Sequence, residues 1–271
     1  MNDSNDSRQS EQAMPDVQSY EDKRHVAITR VGIKRIRVPV VVADQHNPQH
    51  CVAEFELSVY LPEDRKGTHM SRFSQLLNDY RETTLTTANF SHMFNEMLSR
   101  LDSNAGSLSM TFTYFIEKHA PVSKLPGMMD YEITLTATSD DAGNTQTRVK
   151  LDIPVTTLCP CSKEISNYGA HSQRSVISID ALVADADNFS WQHTIESAEQ
   201  QASAQLYSQL KRADEKYVTE HAYDNPRFVE DLIREVATEL NSNSHISAYH
   251  LEVENFESIH NHSAYAQITK A

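Results

Sequence analysis

The chain has 271 residues, enough for one large or two ordinary domains, with ample apolar sequence for cores. Its 38 acidic against 24 basic residues leave a formal charge of −14 and an isoelectric point near 5.3, which opposes nonspecific binding to nucleic acid or to an acidic membrane. Three cysteines, Cys51, Cys159 and Cys161, cannot all pair within one chain, as suits a reduced, cytoplasmic protein.

The segment Met1 to Glu21 is polar and acidic and lacks the apolar stretch of a signal peptide; no run is long enough to span a membrane. Residues 1–24 are therefore expected to form a disordered tail. From His25 to Val42 the chain is rich in Val and Ile, and Ala53, Phe55, Leu57, Val59 and Leu61 then alternate with polar residues, a period of two that predicts half-buried strands. Two amphipathic helices follow. One carries Phe73, Leu76, Leu77 and Tyr80, and the other Phe90, Met93, Phe94, Met97, Leu98 and Leu101, with Asn89 as its expected cap. Strands return at Leu108 to Tyr114 and Ile133 to Ala137, before a turn at Asp141 to Asn144.

The order then recurs. A strand is expected from Val176 to Val183, then a helix from Trp191 to Arg212 with Ile195, Ala198, Ala202, Leu206 and Leu210 on one stripe. A second helix is expected from Pro226, carrying Val229, Leu232, Ile233, Val236 and Leu240, and two last strands around Leu251 and Ala266. The economical reading is an α+β fold of two tandem modules, 25–155 and 156–271, each an antiparallel sheet with two helices packed on one face.

The stretch densest in reactive groups is the loop Thr156–Ser175, with Cys159, Cys161 and His171. A thiolate and an imidazole twelve positions apart suit zinc or a similar divalent ion; the plain alternative is a buried Cys161 and a surface His171. His260-Asn261-His262 offers two more imidazoles, which face the same way if the segment is extended and diverge if it turns. Asp214, Glu215 and Glu220 supply carboxylates in a polar stretch that equally reads as a solvated connection.

Four blocks together resemble the GTP cyclohydrolase type IB family over nearly the whole chain after the tail. They are Cys159-Pro160-Cys161-Ser162-Lys163-Glu164-Ile165-Ser166, Gly169-Ala170-His171 with Gln173-Arg174-Ser175, Gly67-Thr68-His69-Met70-Ser71-Arg72-Phe73, and Asn255 through His262. The resemblance implies a tunnelling fold, a homotetramer with active sites at subunit interfaces, and conversion of GTP and water to 7,8-dihydroneopterin triphosphate and formate. It implies Cys159, His171, Glu215 and His260 as ligands of one divalent ion, Zn2+ or Mn2+, with Fe2+ a further candidate.

By the same resemblance, Cys159 serves the chemistry directly and His262 moves protons or orients His260, while Cys161 is a near-site contact or a packing group. Glu230 is placed against the guanine N1–H and 2-amino group, and Lys163, Arg174, His69 and Arg72 on the triphosphate, with Ser175 and Ser71 as neutral donors. The cations of the first module are open to donation by a neighbouring subunit. Competing readings are a cyclohydrolase that releases a cyclic-phosphate pterin, a nonenzymatic nucleotide-binding module with a structural metal, and a reductase of the same superfamily.

Overall fold

Alternation along the strands decides the architecture. The structure, a computed structural model, describes residues 16–45, 48–139 and 143–271. In chain order its elements are β1 (Ile28–Val42), β2 (Gln49–Leu61), α1 (Met70–Asp79), β3 (Thr84–Leu85), α2 (Thr87–Arg100), β4 (Gly106–His119) and β5 (Pro126–Ser139). There follow β6 (Thr145–Leu158), α3 (Pro160–Ile165), β7 (Ser172–Val183), α4 (Trp191–Glu199), α5 (Arg212–Asp224), α6 (Val229–Ser242), β8 (Ile246–Asn255) and β9 (Ala264–Lys270).

The strands form one nine-stranded sheet in the order β3-β1-β2-β4-β5-β6-β7-β8-β9. Every neighbour is antiparallel except the short β1–β3 pairing. Register keeps the apolar positions together across the sheet: Phe55 faces Met110, Met110 faces Leu135, Leu135 faces Val149, Val149 faces Ala181 and Ala181 faces Tyr249. All six are at most 2% exposed, because α1, α2, α4 and α6 cover this face with Phe73, Phe90, Trp191 and Leu232 in one continuous core. The other face is polar, with Thr111 bonded to Thr134, Ser178 to Asp152 and Arg148 to Asp180. No helix among the described residues is long and apolar enough to cross a membrane.

Several expectations need correction. The helix expected over 191–212 ends at Glu199, because Ala204 instead pairs its backbone in both directions with Thr156 on the edge of β6 that β5 leaves free. The polar stretch read as a connection contains α5, a surface helix whose only buried residues are Asp214 and Ala222, so it has no apolar stripe to announce it. The cap of α2 is Thr86, whose hydroxyl accepts from the Asn89 amide at 3.1 Å, and α6 starts three residues beyond Pro226. Residues 16–24 do not trail free. A short 3-10 turn at Val17–Ser19 lies on the β2–α1 loop, where Gly67 N donates to Gln18 O and Lys66 N to Tyr20 O. Residues 1–15 of the expected tail, and Asp141 and Ala142 of the expected turn, lie outside the described residues. β6 runs unbroken through positions 155 and 156, where the module boundary was expected.

Buried carboxylates tie the two halves of the sheet together. Asp44 accepts from Ser190 and from the amides of Trp191 and Gln192 at the start of α4. Glu199 accepts from Lys118 at 2.8 Å and Tyr131 at 2.6 Å. Asp214 accepts from the amides of Val122, Ser123 and Lys211 and from the Ser123 hydroxyl. Burial alone would raise the Asp214 pKa, but these donors outweigh it and hold the carboxyl well below the usual range. A carboxyl whose folded-state pKa is depressed stabilises the fold above its unfolded value and loses that contribution as the pH falls toward the folded one. Asp214→Asn is therefore expected to lower the melting temperature by several degrees at pH 7 and progressively less below about pH 4, as read by thermal unfolding across pH.

Candidate active site at the rim of the sheet

The thiol and imidazole of the central loop meet where β6 ends and β7 begins. Leu158 pairs with Ser172, and just beyond them Cys159 N donates to His171 O at 3.1 Å. Between them the chain makes the short helix α3, started by Pro160 at its first position and capped by Cys159, whose Sγ accepts from Ser162 N at 3.4 Å. The Ser162 hydroxyl donates to Cys159 O and accepts from His171 N at 3.2 Å, which cross-braces the loop. Gly169 has φ +119°, in the region that favours glycine, so the chain can reverse there toward His171.

Three further segments converge on this loop. The β8–β9 connection is tied to it by Phe256 N, which donates to Arg174 O at 2.9 Å, and by Ser258, whose hydroxyl lies 3.2 Å from His171 Nδ1. In that connection the His260 and His262 rings stack with centroids 5.1 Å apart and planes 12° from parallel, so they face the same way although β9 starts only at Ala264. The approach to α6 is fastened by Arg227 N, which donates to Leu158 O at 3.0 Å, placing Glu230, exposed in the first turn of α6, at the same rim. Lys163 reaches the C-terminal end of α5: its Nζ donates to Tyr223 O at 2.5 Å and sits 4.4 Å from the centroid of the Tyr223 ring.

The remaining expected residues divide. Arg174 is exposed and points to the polar face, since Gln173 and Ser175 on either side of it are buried. Ser175 is fully buried, its hydroxyl shared between Thr157 at 2.9 Å and Asn255 at 2.7 Å, so it is not placed as a phosphate donor. Cys161 is exposed on α3, whereas burial pushes the Cys51 thiol in β2 up to about 11. Glu215 is exposed in the first turn of α5, eight residues from Tyr223 and so about 12 Å along the helix from the end that Lys163 holds.

His69 and Arg72 stand at the other end of the sheet. His69 precedes α1, with Nε2 3.4 Å from the Asp16 carboxylate, and Arg72 donates to Arg100 O at 2.7 Å. Their loop follows β2 near Val59, which pairs with Gly106; Gly106 pairs with Ser139, and Ser139 with Thr145 at the start of β6. Cys159 lies beyond the far end of that 14-residue strand, on the order of 40 Å away by strand rise. Ser71, beside Arg72, is at the same distant end.

Among the described residues no three His, Cys, Asp or Glu side chains of one chain come together closely enough to hold a metal ion. The donors nonetheless fit one chemically. Cys159 and His171 are held side by side, and the loop bearing His260 is bonded to His171 through Ser258. Sequence reasoning missed Gln173, whose side-chain oxygen lies 3.0 Å from His171 Nδ1, and Ser258; the signal available for Gln173 was its period-two spacing from His171 on the buried face.

The fold is similar to that of uricase from Arthrobacter globiformis, with a TM-score of 0.52 at 8% identity over 89% of this chain and 92% of that one, a likeness of fold alone. In sequence the chain is 51% identical over 260 residues to "GTP cyclohydrolase FolE2" of Azoarcus sp. strain BH72, covering 95% of each. It is 52% identical over 257 residues to the protein of that name from Thiobacillus denitrificans, covering 94% of each. Against the one from Nitrosomonas eutropha it is 49% identical over 265 residues, covering 97% of this chain and 98% of that one. The family model described as type I GTP cyclohydrolase folE2 matches residues 14–266, which takes in the central loop, both stacked histidines and the distant His69 block, and the chain belongs to that family.

Proposed function

We propose that the chain opens the imidazole ring of GTP, converting GTP and water to 7,8-dihydroneopterin triphosphate and formate at the start of folate synthesis. The observation that carries this reading is the convergence of Cys159, His171, the His260–His262 loop and the start of α6 at one rim, within a member of this family. Cys159, His171, Glu215 and His260 would hold one divalent ion, Zn2+ or Mn2+ with Fe2+ a further candidate, which when bound makes water nucleophilic near neutral pH.

The protein groups divide the remaining tasks. The water adds at guanine C8, and His262, stacked on His260, is the imidazole that moves protons as the ring opens. Cys161, two residues from Cys159 and exposed, is a polar neighbour of the same centre. The Glu230 carboxylate accepts from guanine N1–H and the 2-amino group, which selects guanine over adenine. Lys163 and Arg174 provide positive charge at the rim for the triphosphate.

His69 and Arg72, on the order of 40 Å away along β6, serve the site only if a second chain brings them. That separation supports an assembly with active sites between subunits, a homotetramer in our proposal. The two modules of each chain meet in this reading at the turn between β5 and β6, since α1 and α2 are inserted between β2 and β4, and α4, α5 and α6 between β7 and β8.

Cys159→Ala is expected to abolish formate release from GTP in protein stripped by a chelator and re-supplied with Zn2+, Mn2+ or Fe2+, while the circular dichroism spectrum stays that of the parent; turnover in any arm removes the assignment. Mixing two inactive variants, Cys159→Ala and Arg72→Ala, by unfolding and refolding together should restore activity to about one quarter of the parent, because random pairing rebuilds intact sites from two chains. No recovery would remove Arg72 from the site. Glu230→Gln should lower kcat/KM for GTP by about 10- to 100-fold through loss of charge-assisted hydrogen bonds, with the bound-metal stoichiometry unchanged.

A further inference from the structure

Where β6, β7 and β8 run into the rim, the apolar face changes character. Val155, Ile177, Ile179 and Val253 are buried there in the ordinary way, but the next positions on the same face are Thr157, Gln173, Ser175 and Asn255. These four are at most 7% exposed. Thr157 faces Gln173 across one ladder and Ser175 faces Asn255 across the next, so their side chains form a continuous chain of hydrogen bonds that ends on His171.

Counting protons gives that chain a direction. Ser175 donates its only proton to Asn255 Oδ1 at 2.7 Å, so at 2.9 Å it accepts from Thr157. Thr157 has then spent its own proton and accepts from Gln173 Nε2 at 3.0 Å. This leaves Gln173 Oε1 toward His171 Nδ1 at 3.0 Å, and a carbonyl oxygen can only accept, so Nδ1 carries the hydrogen. The Ser258 hydroxyl, 3.2 Å from the same nitrogen, shares it as a second acceptor. A neutral imidazole protonated at Nδ1 keeps its lone pair on Nε2.

We propose that Gln173 is a positioning residue which, anchored through Thr157 and Ser175 to Asn255, locks the His171 ring and its tautomer so that Nε2 is presented as the metal ligand. The inference rests on the reading of His171 as a ligand and adds the group that prepares it. A buried polar network of this kind is costly compared with apolar side chains unless every member is satisfied, and here each bond has a partner in line with the next. Its place at the end of an otherwise apolar face gives the four residues a task that packing does not.

The test measures Zn2+ affinity by competition with a chelating dye on the full-length protein, alongside melting temperature without metal. Gln173→Leu should weaken Zn2+ binding about 10- to 100-fold, the usual effect of losing an outer-shell partner. Gln173→Glu keeps an acceptor on the Nδ1 hydrogen and should hold Zn2+ at least as tightly as the parent, although its buried carboxylate makes it the less heat-stable of the two. That opposite ranking in affinity and stability is what a merely structural Gln173 would not produce, and the same ranking in both overturns the proposal. Should Gln173→Leu fail to fold, Thr157→Val, close in shape, removes the acceptor for Gln173 Nε2 and should weaken Zn2+ binding in the same direction; parent-like affinity there also overturns it. His171→Ala separates the two ideas: undiminished Zn2+ binding in that variant defeats the ligand reading itself, whereas loss there with none in Gln173→Leu or Thr157→Val defeats only the relay.

Discussion

A sheet that buries one face across most of its width tolerates no slip in register, and this constraint governs the molecule. Moving any of β2, β4, β5, β6, β7 or β8 by one residue would turn its apolar set toward the polar face. The pairing of Leu135 with Val149 carries the same alternation from the first half of the chain into the second, so α1, α2, α4 and α6 share one core. With one face filled by side chains and the other lined by threonines and ion pairs, reactive groups are left to gather where strands end. The rim at Leu158 and Ser172 is such a place.

The halves are joined by more than the β5–β6 ladder. Asp44 from the first half satisfies amides at the start of α4, Lys118 and Tyr131 from the first half satisfy Glu199, and Asp214 from the second half gathers the amides of the β4–β5 loop. A buried carboxylate deprived of such donors is expensive, which makes these contacts specific rather than adhesive. They also settle the irregular segment after α4. Glu199 holds its beginning, Ala204 pairs with Thr156, and Ser203 accepts from Leu158 N at 3.0 Å, so the strand that delivers Cys159 is braced on the side that β5 has left.

At the rim the same period of two that builds the core is put to another use. Gln173 and Ser175 continue the inward-facing positions of β7, and their polar atoms turn the last rungs of the core into a support for His171. The cations of the His69 block are as far from that support as the sheet allows. A single chain thus holds the reactive loop and the His69 block at opposite ends of its sheet.

Much of this was legible in the chain itself, for reasons of periodicity and side-chain chemistry. Strands with one buried face announce themselves by alternation, as at Ala53 to Leu61, and helices on a core by their stripe, as at Phe90 to Leu101. The reactive loop stood out because thiol, imidazole and hydroxyl groups cluster within twenty residues, and its blocks identified the family. What local pattern cannot show is a contact made across the fold. The stripe from Ile195 to Leu210 suited a helix, but backbone pairing of Ala204 with Thr156 ended it at Glu199. Asp214 looked like a solvated acid because its donors, Val122 and Ser123, lie about ninety positions away. Ser175 looked like a ligand donor until Asn255, eighty positions on, claimed its proton. Residue types and their spacing determined which groups this protein has for chemistry; tertiary structure alone decided which of them are free to act, because a hydrogen bond depends on proximity in space and not on order along the chain.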